Sequence, residues 1–328
     1  MTFPNLPRRR LLNAFLAALG ALGPFADARA ADRRTFRIIS PYPPGGSTDA
    51  IGRVLAEELG RALGQTWIVE NFPGGNGIPG VRRVIDSEPN GETSVLGYSV
   101  LFTLFPRTQA AALTFSPAKD LKLVSLIGAQ PYLIAANAVA KGDDIRQFLA
   151  AGDFSRQPLF IGSAGTGVPS HFIAEQIGKL NSVEVTHVQY KGTGQVAVAV
   201  AAGDIPLGIL DLTAARPLVA AGKVKILGTT SAQRTPQFAN VPTMEEQGYP
   251  GFTYDIWVGL FVPGRTPDSI VMPLHRAMQE VLGAPGVTDR LREIGLTVLR
   301  LNLDESKSFI ERDVNRWARI IAESNLKF

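Results

Sequence analysis

Short apolar runs alternate with longer amphipathic segments along most of this sequence, and that alternation constrains the fold more than any other feature. The first unit shows the pattern. A strand-like run at 36–40 leads into a Pro/Gly loop, and apolar residues at helical spacing follow over 48–63. Gly64 then supplies a helix C-cap. Repetition of such units predicts an α/β fold with mainly parallel strands.

The other predicted elements continue this alternation, with a second series of units starting near Tyr132. The chain has 328 residues, which is enough for two average domains. Further strands are predicted at 67–70, 95–98, 132–135, 159–162, 185–188, 205–210, 224–228 and 256–262, and further helices begin at 81 or span 170–180, 195–202, 267–282 and 303–324.

Composition narrows the class of protein. The chain contains no Cys, which excludes a disulfide scaffold, thiolate metal sites and a Cys nucleophile. Apolar residues make up 45% and charged residues 19%, as in ordinary globular proteins. Beyond the N-terminus no run approaches the roughly 20 apolar residues that span a bilayer, so no membrane insertion is expected.

The N-terminus has the three parts of a secretory signal peptide. Arg8, Arg9 and Arg10 precede the apolar run 11–19, and Ala28-Arg29-Ala30 forms a small-x-small cleavage signal. We therefore predict that residues 1–30 are removed and that the mature chain is periplasmic. Because the arginines and the following leucines also fit a twin-arginine signal, that export route and the general secretory route both stay open.

Removal of this leader changes the charge argument. The leader carries four of the 33 basic and one of the 29 acidic residues, which leaves 29 basic and 28 acidic residues and a net charge of +1. A nearly neutral mature chain gives no indication of a nucleic-acid-binding surface.

Two loops share one design, since each follows a predicted buried strand, is rich in Gly, contains hydroxyl residues and opens a helix. The first is Pro41-Tyr42-Pro43-Pro44-Gly45-Gly46-Ser47-Thr48-Asp49, and the second runs from Gly162 through Ser163, Gly165 and Thr166 to His171.

Loops of this kind favour anion binding. Gly lets the backbone approach a ligand closely, and a helix N-terminus offers N–H groups and partial positive charge. Such a site binds a carboxylate or phosphate without Arg or Lys. The alternative is purely structural, because Gly-rich turns are common in α/β folds and Ser47, Thr48 or Asp49 can simply cap a helix.

Other chemistries find little support. Residues 75–80 match G-x-G-x-x-G, but Pro79 lies where a helix should start and no acid ends the strand 95–98, so we interpret this segment as a structural loop. His171 and Glu175 are too few for a metal site, and we interpret His171 as a cap or ligand-loop residue. The sequence lacks a G-x-S-x-G elbow. No cofactor, metal or catalytic residue is predicted.

Taken together, the motifs resemble the Bug receptors, the extracytoplasmic binding proteins of tripartite tricarboxylate transporters. The resemblance covers residues 38–320 and lies in the number, order and spacing of the segments. These are the first loop with Asp49, Val69-Glu70-Asn71-Phe72-Pro73-Gly74-Gly75, the second loop with Ser170-His171, Tyr190-Lys191-Gly192, Gly203-Asp204-Ile205, Val241-Pro242-Thr243-Met244-Glu245-Glu246-Gln247-Gly248 and Gly259-Leu260-Phe261-Val262-Pro263.

The resemblance implies a type II periplasmic binding protein with two doubly wound lobes joined by two crossing strands. One lobe would combine 31–133 with 257–328, and the other would span 134–256. The two loops would close on a carboxylate, and Asp211 would also face the cleft. The implied ligand-binding residues are Tyr42, Gly45, Gly46, Ser47, Thr48, Asp49, Ser163, Gly165, Thr166, His171 and Asp211.

Three departures from the family pattern fall in the second lobe. Gln189 stands where the family usually has Pro, Phe172 replaces the usual Leu, and the stretch 140–157 matches poorly. These departures bear on the identity of the ligand more than on the fold.

The leading hypothesis is a monomeric, non-enzymatic receptor that delivers a small carboxylate to membrane transporter subunits. The ligand classes left open are di- and tricarboxylates, acidic amino acids and aromatic acids. A second hypothesis keeps the receptor but makes its partner a sensor kinase. A third, an exported hydrolase or lyase, would need a general base in the cleft, and the sequence offers no clear pair.

Overall fold

A computed structural model describes residues 34–154 and 156–324, so the predicted signal peptide at 1–30 lies outside the described residues. Eleven strands occur in the described part of the chain. They are β1 (Thr35–Ser40), β2 (Thr66–Asn71), β3 (Thr93–Tyr98), β4 (Leu121–Pro131), β5 (Leu133–Asn137), β6 (Leu159–Ser163), β7 (Val185–Gln189), β8 (Leu207–Leu210), β9 (Val224–Thr229), β10 (Asp255–Pro263) and β11 (Thr297–Val298).

Helices alternate with these strands, and two short 3-10 turns occur at Gly75–Gly77 and Pro236–Phe238. The helices are α1 (Ser47–Leu63), α2 (Ile78–Ile85), α3 (Ser99–Thr103), α4 (Phe105–Thr108), α5 (Pro117–Asp120), α6 (Ile145–Ala151), α7 (Pro169–Asn181), α8 (Thr193–Ala202), α9 (Leu212–Ala220), α10 (Asp268–Gly283), α11 (Pro285–Glu293) and α12 (Leu303–Ser324).

The strands form two sheets, which confirms the predicted α/β class. The first has the order β11-β4-β10-β3-β1-β2 and the second the order β7-β6-β8-β5-β9. The expectation of mainly parallel strands is wrong. Parallel pairing is confined to β1 with β2 and β3, and to β6 with β7 and β8, whereas β4, β5 and β10 pair antiparallel with their neighbours.

The antiparallel strands include those through which the chain passes between the sheets. It leaves the first sheet at Pro131, enters the second at Leu133, and returns through Tyr254 into β10. Thr230 ties both crossings together. Its Oγ1 accepts the Tyr132 N–H at 2.8 Å and donates to the Tyr254 carbonyl at 2.8 Å. Its main-chain N–H and carbonyl bond the same two residues at 3.0 and 2.9 Å.

Helices cover the sheets through apolar faces at helical spacing. In α1, Ile51, Leu55 and Leu59 are fully buried, and Gly64 ends the helix in the left-handed conformation at φ 63°. A large apolar core continues from the first sheet into α7 of the second-sheet side, and a smaller cluster packs α8 and α9 against β5 and β8.

Several elements near the first sheet differ from the prediction, and two of them bear on the region around residues 75–80 and the first crossing. Strand β4 was not predicted, and α2 begins at Ile78 instead of 81, with Pro79 in its first turn. Pro is compatible with that position because the first-turn N–H has no intrahelical partner. The position of Pro79 is therefore no argument against a helix after residues 75–77. The other argument against a dinucleotide site remains, because no acidic residue follows β3.

Candidate functional site

The first loop, residues 41–46, is held against the start of α1 by Asp49. One carboxylate oxygen, Oδ2, accepts the Gly45 N–H at 3.0 Å and the Arg53 Nε–H at 3.0 Å. Burial opposes ionisation of Asp49, but the bonds from Arg53 and Gly45 outweigh it and lower the pKa of the carboxyl. Gly45 adopts φ 84°, which favours glycine. Asp49 thus fixes the shape of the loop.

Two tyrosines pack beside this loop. The Thr48 Oγ1 donates to the Tyr98 Oη at 3.1 Å, and the rings of Tyr42 and Tyr98 meet edge to face at 5.8 Å. Burial raises the pKa of the Tyr98 hydroxyl, and the negative charge of Asp211 raises it further. Burial likewise raises the pKa of Tyr42. Both hydroxyls stay protonated and can donate hydrogen bonds.

Tyr132, at the first crossing, completes what we call the tyrosine cluster (Tyr42, Tyr98 and Tyr132). Its side chain is buried, and burial raises the pKa of its hydroxyl, with further contributions from Tyr42, Asp211 and Tyr98. The charge of Asp211 acts on both Tyr98 and Tyr132, so a carboxylate that follows β8 of the second sheet lies close to residues of the first.

Asp211 links two helix N-termini on the second-sheet side. As the N-cap of α9 it accepts the Ala214 N–H through Oδ1 at 2.8 Å. Its Oδ2 accepts the hydroxyl of Thr193, the first residue of α8, at 2.7 Å. These bonds join the beginnings of α8 and α9 beside the tyrosine cluster.

The second loop, residues 163–168, is organised from beneath by Ser163, which is fully buried. The Ser163 Oγ donates to the Gly165 carbonyl at 2.9 Å and lies 2.5 Å from the Nε2 of His187 on β7. The Ala164 N–H donates to the Ser170 Oγ at 3.2 Å. The serines therefore shape the loop rather than face solvent.

His171, in the first turn of α7, supports the other end of the second loop. Its Nδ1 accepts the Gly167 N–H at 3.2 Å, and its Nε2 lies 3.7 Å from a carboxylate oxygen of Glu175. The His171 ring stacks on the His187 ring with centroids 3.8 Å apart. Burial and the neighbouring His171 lower the pKa of His187 to about 4.

Strand register places both loops at the carboxyl edges of their sheets. Because β6 and β8 are parallel with Gly162 opposite Gly208, the second loop and Asp211 emerge at the same edge. The first loop and Tyr98 likewise follow the parallel strands β1 and β3. The second loop is hydrogen-bonded to the first-sheet side, since the Thr108 Oγ1, at the end of α4, donates to the Gly167 carbonyl at 3.1 Å.

The predicted site residues fall into groups according to their exposure and to the hydrogen bonds that their polar atoms make. Gly45 and Thr166 are exposed, and the Thr166 hydroxyl donates to the Gln189 side chain at 2.8 Å. Gly46 and Gly165 contribute main chain at the loops and helix starts. The predicted residues with internal side-chain hydrogen bonds are Ser47, Thr48, Asp49, Ser163, Thr166, His171 and Asp211.

Sequence reasoning did not assign Tyr98, Tyr132, Thr193 or His187 to this region. Tyr98 could have been predicted from the sequence, because it ends a parallel strand beside the first loop and ligands bind at the carboxyl ends of such strands. Tyr132, Thr193 and His187 arrive through strand pairings and helix packing that no local pattern reveals.

A separate groove lies away from these residues. It has a volume of about 550 Å³ and runs between residues 102–118 and α12, with Phe102, Leu113 and Ile310 among its mostly apolar lining. None of the predicted site residues lines it. Within 34–154 and 156–324, no group of three or more acidic or His side chains is arranged to hold a metal ion. No helix in those ranges is long and apolar enough to cross a membrane.

Two sheets joined by paired crossings, with Gly-rich loops at facing carboxyl edges, define the class of periplasmic binding proteins. Residues 51–326 match the model of the tripartite tricarboxylate transporter family receptor, TctC, and the chain belongs to that family. This family confirms the resemblance to Bug receptors. The protein BugT of Bordetella pertussis is 27% identical over 317 residues, which cover 97% of each chain.

Solved structures agree with this assignment. Rpa4515 of R. palustris, determined with adipate, is 27% identical and superposes with a TM-score of 0.82 over 89% of this chain and 97% of its own. MatC from Rhodopseudomonas palustris, determined with bound malate, is 29% identical with a TM-score of 0.76 over 88% of this chain and 99% of its own.

Proposed function

We propose that this protein is a periplasmic solute-binding receptor that captures a small carboxylate between two lobes and delivers it to a tripartite tricarboxylate-type transporter. One lobe comprises 31–133 with 257–328 and the other 134–256. The first 30 residues direct export and are removed. The partner is the membrane part of the transporter, and the receptor acts as a monomer.

One observation carries the proposal: the two helices that follow the loops begin without a side-chain cap. Neither Gly46 before α1 nor Val168 before α7 gives its first turn a side-chain acceptor, whereas Asp211 caps α9. The N–H groups of an uncapped first turn attract an anion, and the helix dipole adds to that attraction. In α7, Pro169 has no N–H and the His171 N–H bonds the Val168 carbonyl, so the Ser170 N–H and the helix dipole supply the attraction there. Two such helices at facing sheet edges suit a carboxylate held from both sides.

Relatives support the class of ligand. Structures of the same family contain adipate in Rpa4515 and malate in MatC, and both molecules are small dicarboxylates. The neutral hydroxyls of the tyrosine cluster add hydrogen-bond donors beside the first loop, and the Tyr98 hydroxyl, which accepts from Thr48, keeps its own proton to donate.

The geometry also favours binding without catalysis. In the second loop, the Ser163 hydroxyl lies next to His187 of β7. Ser163 is fully buried beneath the loop, so a substrate cannot reach it without unfolding that segment. The carboxylates of Asp49 and Asp211 hold main-chain and side-chain donors of the loops, which leaves both poorly placed as general bases.

Thermal shift on residues 31–328, freed of co-purified ligand by refolding, tests the proposal. The acids are malate, adipate, citrate, glutamate, nicotinate and benzoate. A ligand at 100 times its Kd adds about 2.7 kcal/mol, which for a chain of this size raises the Tm by about 4 °C. A selective shift with one or two acids is expected, and no shift with any acid contradicts the carboxylate grip.

A matched pair of variants at Gly46 tests where the anion binds. Gly46 has φ −83° and its Cβ position meets only the Pro43 carbonyl at 3.7 Å, so larger residues fit. Both Gly46→Asp and Gly46→Asn cap α1 and preserve or raise the Tm. Only the aspartate repels an anion, so we expect about tenfold weaker binding for G46D than for G46N by calorimetry. Equal affinities would place the carboxylate elsewhere.

A further inference from the structure

Two of the three histidines in the chain form a stacked pair under the second loop. Besides stacking on His171, His187 holds Ser163 at 2.5 Å, and Ser163 in turn bonds the Gly165 carbonyl. His171 holds Gly167 through Nδ1. The pair thus supports both ends of the loop, yet His187 lies on β7, 24 residues beyond Ser163, and is not itself part of it.

Hydrogen-bond chemistry fixes the charge state that this arrangement needs. A main-chain N–H can only donate, so the Nδ1 of His171 must be unprotonated to accept the Gly167 N–H. Protonation at Nδ1 would set two donors against each other. A charge on His187 would in addition lie against the stacked ring of His171, 3.8 Å away, in a partly buried site.

The ionisable groups around His187 come from one helix. His171 and Glu175, both on α7, face it, and β6 contributes the neutral Ser163. Glu175 favours a proton on the pair and burial opposes it. Burial and His171 prevail, which keeps His187 neutral at neutral pH.

We propose that His187 is a positioning residue for the ligand-binding loop, and that the loop keeps its binding shape only while the His171–His187 pair is neutral. This inference rests on the proposed function, because it assigns to the second loop a part in holding the ligand. Acidification then loosens the loop and weakens ligand binding, while the first loop keeps its shape.

Amide hydrogen exchange measured from pH 7 to pH 4, corrected for intrinsic rates, tests the inference without any ligand. The expected result is loss of protection at Gly167, by about fivefold for one hydrogen bond, at the acid end of the series. Gly45 is the internal control, because its acceptor is the carboxylate of Asp49, whose pKa is lowered. Parallel loss at Gly45 and Gly167, or no loss at Gly167, would overturn the proposal.

Variants at His187 test the link to binding, with adipate and malate as probes in calorimetry. His187→Phe keeps a stacked ring and loses the bond to Ser163, so we expect about fivefold weaker binding at pH 7. His187→Gln restores an amide donor to Ser163 and should recover most of that loss. His275→Gln is the control, since His275 is a buried histidine that bonds the Val124 carbonyl on the first-sheet side.

The outcomes separate the two proposals. If H187F binds both acids as tightly as the wild type, the positioning role is wrong. If wild-type protein binds neither these acids nor any other in the panel, the proposed function fails, and the exchange measurement still decides whether the histidine pair controls the loop. If H187F does not fold, the Kd of wild-type protein for the same acids across the pH series decides, because unchanged affinity where Gly167 loses protection would overturn the positioning role.

Discussion

Asp49 shows how a residue at a binding loop can act through the main chain. Its side chain is 7% exposed, and one oxygen accepts hydrogen bonds from both Gly45 and Arg53. An acid whose pKa is lower in the folded chain than in the unfolded one stabilises the fold at any pH above the unfolded value. That contribution is lost as the pH falls through the lower, folded value.

Replacing Asp49 with Asn should therefore destabilise the protein at neutral pH by about 1–3 kcal/mol, since hydrogen bonds to a buried charge are lost. The difference from wild type should shrink as the pH falls below the ordinary Asp pKa of 3.8. Denaturant unfolding at pH 7 and pH 3 measures both. The matched control is Asp86→Asn. Asp86 also pairs with an arginine four residues away but is 57% exposed, so its loss should cost under about 1 kcal/mol. Equal costs at the two positions would refute this account of Asp49.

At the scale of elements, the helix starts around the site differ in how they are capped. Helices α1 and α7 have no side-chain cap, whereas α9 is capped by Asp211 and α6, on the same side of the molecule, by Asp144. Asp144 accepts the Gln147 N–H at 2.8 Å, the same distance as between Asp211 and the Ala214 N–H. Only Asp211 also reaches another helix, through Thr193.

Alanine at either cap should cost about 1 kcal/mol of stability. Asp211→Ala should in addition weaken ligand binding, because the starts of α8 and α9 are no longer joined beside the tyrosine cluster. Asp144→Ala should leave the ligand Kd unchanged. Chemical denaturation and calorimetry on both variants test this, and equal effects on Kd would remove Asp211 from the site.

Sequence patterns located the elements whose signals are local. Helix α1 and its Gly64 cap, α12, and the Gly-rich loops all follow from spacing within one segment. Strand β4 was missed because its apolar run continues into β5 with only Tyr132 between them, so the boundary at the crossing is hidden. Helix α11 was missed since Gly283 and Pro285 look like a terminus. The His171–His187 stack depends on β6–β7 pairing, which no single segment encodes.

At the scale of the whole molecule, the two crossings behave as one joint. Thr230 makes two side-chain and two main-chain hydrogen bonds, and all four reach Tyr132 or Tyr254. Trp317 of α12 packs against Tyr254 and also, edge to face at 5.8 Å, against Phe172 of α7. The C-terminal helix therefore contacts both the second crossing and the helix that follows the second loop.

Thr230→Val keeps the shape of the side chain but leaves the Tyr132 N–H and Tyr254 carbonyl without their partner in a buried place. We expect a cost of about 2–3 kcal/mol in the free energy of unfolding and a change in ligand affinity. Thr103→Val is the control, because that equally buried hydroxyl bonds only the Ser99 carbonyl within its own helix. A Thr230→Val protein with wild-type Kd would show that the two crossings do not control how the two sides of the molecule close around the ligand.

The uncapped starts of α1 and α7 have a consequence for how such a receptor changes over time. Every residue except Pro carries a main-chain N–H, so a charge-recognising site built on these helix starts, as proposed above, is insulated from most substitutions. Side chains around it are free to vary and to select a different body for the acid. A lineage that keeps these main-chain donors while the surrounding side chains change can acquire a new carboxylate ligand without first losing its ability to bind an anion.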